Sequence, residues 1–269
     1  MIHLLSLAGK RALADLIATE PVLAFTFDGT LAPPVVLPNQ ARMQPALERC
    51  FRDLCALLPV AVITGRSLDD VEARLPVRPA YLVGNHGSGC LPGQEDDAPR
   101  ARAICATWLR QMVDEHGLHK VDPGLLIADH GCSLWLHYRL LRDRPRTMGE
   151  IERVLGALRP APVVVGARSG INLLPPDAPG KRATLSTVLD HASRQTALYI
   201  GEDEADEQIF RDAPESWLTV RIGRSKDSGA RYFLHHQFEV LECLQFLIGL
   251  ISRNKHVGRI RRNAVIGHA

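Results

Sequence analysis

Five short runs, PVLAFTF (residues 21–27), PVAVIT (59–64), AYLVG (80–84), ALYIG (197–201) and LTVRIG (218–223), carry few polar positions and read as strands buried on both faces. Stretches with helical spacing, 44–57 and 67–75, lie among them. This alternation predicts an α/β fold with a doubly wound parallel-sheet core. The middle of the chain has another period. GLLIADHGCSLWLHYRLL (124–141) and APVVVGARSGINLLPP (161–176) alternate apolar and polar residues as half-exposed antiparallel strands do, with helical stretches around 101–116 and 147–158. Gly/Pro-rich joints, GSGCLPGQ and LPPDAPGK, set the expected edges of an inserted α/β cap: core 1–90 plus 178–269, cap 91–177. The opening MIHLLSLAGKRALADLIATE reads as an amphipathic helix, because Lys10, Arg11 and Asp15 interrupt the apolar run that a signal peptide requires.

Composition narrows the functional classes. At 269 residues, 46% hydrophobic and 23% charged, the chain can bury a substantial core in one large or two modest domains. A net charge of +2 is too small for a nucleic-acid surface; the excess gathers at Arg253, Lys255, Arg259, Arg261 and Arg262, which read as a solvated tail. No run approaches the roughly 18 apolar residues of a membrane span. The six cysteines, Cys50, Cys55, Cys90, Cys105, Cys132 and Cys243, form no CxxC pair, so they read as reduced core thiols rather than zinc ligands or disulfides. A cytoplasmic chain without nucleic-acid or membrane partners is the expectation.

Chemistry concentrates where the apolar runs end. TFDGTLAP closes the first run, TGR the second and GNHG the third, while GEDEADE sets a cluster of carboxylates just past the fourth. Taken singly these have plain readings: DGT as a turn, Thr64-Gly65-Arg66 as a helix N-cap, His86 as a satisfied core or turn histidine, GEDEADE as a solvated acidic loop.

In this order and over nearly the whole chain, the motifs resemble the trehalose-6-phosphate phosphatases of the haloacid dehalogenase (HAD) superfamily. TFDGTLAP is similar to that family's Asp-Xaa-Asp-Gly-Thr-Leu, VAVITGRSLDDVEARL to its strand ending in Ser/Thr-Gly-Arg, and VGNHG to its Gly-Xaa-His-Gly. DHGCSLWLHYR is similar to a cap strand that starts Asp-Lys-Gly and ends His-Tyr-Arg, and YIGEDEADEQIF to Gly-Asp-Asp-Xaa-Thr-Asp-Glu-Xaa-Xaa-Phe. The resemblance implies a HAD-like core with a cap, magnesium as cofactor, and trehalose 6-phosphate or a similar phosphorylated disaccharide as ligand. It implies Thr26 at the nucleophile position and Asp28 at the acid/base position. Gly29, Thr30, Thr64, Gly65, Arg66 and Lys181 would surround the phosphate. His86, His130, His137, Arg139 and Asn172 would face the sugar and cap, and Asp28, Glu202 and Asp203 the metal.

In that chemistry one carboxylate attacks phosphorus to give an acyl phosphate, and a second protonates the departing oxygen and then activates water. Magnesium, held by hard oxygen ligands, offsets the phosphoryl charge. Here Thr26 replaces the attacking Asp. A threonine hydroxyl without a base is a poor nucleophile, and a missing carboxylate weakens metal binding. Other departures accompany it: Glu202 for Asp, Ala205 for Thr, Arg182 for Gly, His130 for Lys, and Asn172 and Leu174 where the family has Glu-Xaa-Arg. Erosion at several positions together predicts a chain that binds a phosphorylated sugar with hydrolysis lost or strongly impaired. Two alternatives stay open. One is an active magnesium-dependent phosphatase in which Asp28 activates water while Thr26 positions it; the other is a non-catalytic interaction subunit of a trehalose-pathway complex, with a protein partner.

Overall fold

The computed structural model describes residues 1–35, 37–88, 97–167 and 170–266. Along the chain, β1 (Ile2–His3) leads into α1 (Leu7–Ile17), followed by β2 (Val22–Phe25), α2 (Pro45–Leu57), β3 (Val60–Ile63), α3 (Leu68–Glu72) and β4 (Tyr81–Val83). Next come α4 (Asp97–Arg110), β5 (Leu126–Asp129), β6 (Leu134–His137), α5 (Arg144–Ala157), β7 (Val163–Ala167) and β8 (Gly170–Leu174). The chain finishes with α6 (Gly180–His191), β9 (Ala197–Gly201), α7 (Glu207–Asp212), β10 (Trp217–Ile222), β11 (Tyr232–Leu234) and α8 (Glu239–Ile266).

The main sheet has seven strands in the order β1-β11-β10-β9-β2-β3-β4, and every pairing is parallel. The α/β expectation holds. Side-chain alternation explains the layers: Leu23 and Phe25 join Leu13 of α1, Leu47 of α2 and Leu244 of α8 on one face, while Val22 and Ala24 join Leu185 of α6 and Phe210 of α7 on the other. Each such fully buried Leu or Phe contributes about 1.5–3 kcal/mol. Winding reverses at β2: β3 and β4 extend the sheet to one side, β9 and its followers to the other. The crevice at the carboxyl ends of β2 and β9 is therefore the place where this architecture puts a ligand.

Four antiparallel strands, ordered β5-β6-β8-β7, form a second sheet. Its period-two pattern works as read. Leu134, Leu136 and Leu173 pack on Trp108 of α4 and on Ile151 and Val154 of α5, so the intervening Trp135, His137 and Asn172 face the other way.

Arg253, Lys255, Arg259, Arg261 and Arg262, read as a solvated tail, belong to α8; Arg253 is exposed, and the other four side chains lie outside the described residues. One expectation needs correction. Helix α3 is capped by Ser67, whose hydroxyl accepts from Asp70 N, not by Thr64, because the chain turns through Gly65 and Arg66 first. The joint at residues 89–94 and Cys90 lie outside the described residues, and the five described cysteines are free. Among the described residues, no helix is long and apolar enough to cross a membrane.

Candidate functional site

A cavity of about 630 Å³ opens between the carboxyl ends of the parallel strands and the Trp135 face of the antiparallel sheet. Thr26, Asp28, Gly29, Thr64, Gly65, Arg66, His86, His130, His137, Arg139, Asn172, Lys181, Glu202 and Asp203 all line it. Residues from opposite ends of the chain thus meet in one place. Thr30 differs: it is fully buried and off the cavity wall, with its hydroxyl 2.7 Å from that of Thr26.

The floor is built at the ends of β2 and β9. Thr26 continues β2 by donating its backbone N–H to Ile200 O at 3.1 Å, and its side chain, 4% exposed, meets another hydroxyl rather than a base. Gly29 has φ +73°, a region costly for side-chain-bearing residues, and a Cβ there would run into the Glu202 carboxylate. The turn therefore needs glycine twice over. Glycine also lets His86 approach at Gly65, where a Cβ would strike the imidazole.

Arg66 dominates the next layer. Its Nε and Nη2 donate to Asp28 Oδ2 and Oδ1, both at 2.7 Å, and its Nη1 donates to Asp70 Oδ2 at 2.5 Å. The guanidinium lies 5.4 Å from the Phe27 ring centroid, and Arg74 braces Asp70 from the far side. Burial pulls the Arg66 pKa down, but the paired carboxylates outweigh it and the net shift is upward. A bidentate fork of this kind fixes orientation as well as charge.

Lys181 is held by Asp206 at 2.5 Å, with side-chain exposures of 5% and 0%. Asp206 also accepts from Tyr199 OH at 2.8 Å and from Glu202 N and Asp203 N, both at 2.9 Å. Burial pushes this carboxyl up, yet Lys181 and the hydrogen bonds hold it below the usual carboxylate range. The acidic stretch is thus not simply a solvated loop; its central carboxylate is the anchor for both the lysine and the turn after β9.

His86 sits in left-handed backbone (φ 55°) with its N–H on Thr64 O at 2.9 Å. The expectation of a satisfied core histidine is only half met: the ring is buried, and its nitrogens make no well-formed hydrogen bond, the Asn172 side chain being close enough only for a weak one. Burial, with the nearby Lys181 charge, drives its pKa down to about 3, against partial opposition from Asp206 and Asn172. It is a neutral imidazole at any physiological pH. Burial likewise lowers His130 and His137. Trp135 Nε1 and His137 Nδ1 are buried without partners as well.

Among the described residues, polar contacts join the two sheets across the cavity. His130 Nδ1 meets Gly65 O at 3.2 Å, Ser133 Oγ donates to Asn85 Oδ1 at 2.8 Å, and Arg139 Nη1 donates to Val35 O at 3.1 Å. Sequence reasoning passed over Asp70, Arg74, Tyr199 and Trp135, and gave no role to Asp206. The signals were present: Asp70 and Arg74 sit four and eight residues after Arg66, one helical face, and Trp135 alternates with apolar neighbours.

The carboxylates on the cavity wall are already hydrogen-bonded within the protein. Both Asp28 oxygens are engaged by Arg66, Asp203 Oδ1 accepts from Glu204 N at 3.0 Å, and Asp206 is committed to Lys181. Among the described residues, no three acidic, imidazole or thiol groups converge as a metal-holding set. Thr64, Arg66 and Lys181 bring one hydroxyl and two cations to the cavity wall, each cation paired with a neighbouring carboxylate.

The sequence profile of the Trehalose-phosphatase family matches residues 24–236. A trehalose-phosphate phosphatase of Mycobacterium avium (strain 104) is 31% identical over 226 residues, which cover 79% of this chain and 56% of that protein. The chain thus spans little more than half the length of the curated relatives it matches. Among solved structures, a trehalose-6-phosphate phosphatase related protein superposes with TM-score 0.70 at 20% identity, covering 87% of this chain and 99% of that one. The C-terminal domain of C. albicans trehalose-6-phosphate phosphatase gives TM-score 0.68 at 20% identity, covering 89% and 96%. At these identities the structural likenesses speak for the fold.

Proposed function

Because the chain belongs to the trehalose-phosphatase family, we propose that it binds a phosphorylated sugar such as trehalose 6-phosphate, with hydrolysis lost or strongly impaired. One observation carries this reading: at the end of β2, where the attack on phosphorus would start, stands the buried Thr26 hydroxyl, hydrogen-bonded to Thr30 and not to a base. Thr64, Arg66 and Lys181 remain on the cavity wall to receive the phosphoryl oxygens. Glu202 and Asp203 line the same cavity, and the Glu202 carboxylate packs against Gly29. Asp28 is the remaining candidate for general acid or base, but both of its oxygens already accept from Arg66. That pairing weighs against direct activation of water. On this reading the ligand is held while the attack position carries a hydroxyl without a base.

Thermal unfolding with trehalose 6-phosphate and with inorganic phosphate tests the binding half. A ligand at about 100 times its Kd stabilises by about 2.7 kcal/mol, so a clear rise in Tm with the sugar phosphate is expected. An unchanged Tm with both at millimolar concentration would count against a retained site.

A further inference from the structure

The chain from the end of β6 into the first turn of α5 reads RLLRDRPR, and it gathers cations that the cavity does not use. Arg142, Arg144 and Arg146 are all exposed, and none lines the cavity. Lys120, also exposed, stands two residues before Asp122, whose carboxylate binds the backbone of Arg142. Arg66, Arg74, Arg153 and Arg221 are paired with carboxylates. Among the described residues, Lys120, Arg142 and Arg146 make no ion pair, and the Arg144 guanidinium lies 5.1 Å from the Tyr138 ring centroid. The acids of this stretch are committed elsewhere: Asp143 Oδ1 accepts from Arg146 N at 3.2 Å, and Glu150 Oε2 accepts from Arg153 at 2.8 and 3.0 Å.

Asp122 fixes the backbone that presents these arginines. It is 2% exposed and off the cavity wall, and its carboxylate accepts from Gly124 N at 2.8 Å, from Arg142 N and Asp143 N at 2.9 Å each, and from Thr147 Oγ at 3.3 Å. A surface held in this way loses little freedom when something binds it. The cluster does nothing for α5 itself. Its first turn carries Arg144 and Arg146 and no acid, and cations at that end oppose the helix dipole. A local rule broken without a compensating pair points to recognition rather than stability.

We infer that Lys120, Arg142, Arg144 and Arg146 form a docking surface for an acidic segment of a partner protein, rich in Asp or Glu. Charge complementarity chooses the occupant. Planar guanidinium forks match carboxylates two bonds at a time. A bilayer would be met by several exposed aromatic or long apolar residues, whereas Leu140 is the one large apolar side chain exposed in residues 138–146. A nucleic acid would be met by open stacking rings, whereas the Tyr138 ring already lies under Arg144. The inference goes beyond the phosphosugar reading and is independent of it.

Fluorescence anisotropy of the full chain with a labelled peptide of about ten alternating Glu and Asp residues tests it. Saturable binding with Kd below about 100 μM is expected at about 50 mM salt, weakening at least about tenfold at about 300 mM. Arg142→Glu with Arg144→Glu should weaken it at least about tenfold further, while Arg261→Glu with Arg262→Glu, on α8, should change it less than about twofold. Both arginines of the first pair are exposed, and matching thermal unfolding of the variants and the unmodified chain checks that the fold is intact. Absence of saturable binding, or loss with the α8 pair and not with the loop pair, overturns the inference. Tighter binding to phosphatidylserine-containing vesicles or to oligo-dT than to the peptide overturns it as well.

Discussion

Thr26 and Asp28 stand two residues apart in the turn that ends β2 and make unlike contacts. The backbone after β2 turns through Gly29, Thr26 and Thr30 share a buried hydroxyl contact, and Asp28 is a bidentate partner of Arg66. His86 gives a prediction of the same scale. Its folded pKa is depressed to about 3, while an unfolded histidine titrates near 6.5. Between those values the unfolded chain binds a proton that the folded chain refuses, so stability is full above about pH 6.5 and falls by up to about 1.4 kcal/mol per unit below it. In His86→Asn, a residue that tolerates left-handed backbone, this component should vanish; denaturant unfolding at several pH values, compared with the unmodified chain, reads it out. The motif positions were legible because their residue types are tied to strand ends. The orphaned nitrogens of Trp135 and His137 were not, since their lack of partners depends on packing between segments far apart in sequence.

Among elements, the turn after β9 depends most on one side chain. Asp206 gathers Lys181, Tyr199 and the amides of Glu202 and Asp203, and it is fully buried. Removing one partner of such a pair leaves an uncompensated charge, so Asp206→Ala should cost about 3–5 kcal/mol in urea unfolding. Lys181→Met, which also strands Asp206, should cost a similar amount, whereas the double change should cost far less than the sum. A sum of the two single effects would show that the pair does not couple. At the start of α3, Ser67→Ala should cost about 1 kcal/mol through loss of its bond to Asp70 N. The buried strands of the main sheet and the alternation in the second sheet were legible from periodicity. Strands β1 and β11, of two and three residues, are too short to show a period, and α8 has no apolar stripe sharp enough to announce its 28 residues.

For the whole molecule, function depends on two sheets facing one cavity. The doubly wound order puts Thr26 and Glu202 at the switch between β2 and β9, and the antiparallel sheet closes the far side through His130, Ser133 and Arg139. Arg139→Ala would release Val35 and the apolar segment, and should weaken sugar-phosphate binding about tenfold while changing inorganic phosphate binding little. Equal losses for both ligands in calorimetry would place Arg139 at the phosphate instead. The central claim, binding without turnover, is tested most directly by phosphate release from trehalose 6-phosphate with magnesium, measured for this chain and Thr26→Asp side by side with their affinities. The account predicts micromolar-to-millimolar binding and no release by the unmodified chain. Release with kcat on the order of 1 per second by the chain carrying Thr26 would contradict it.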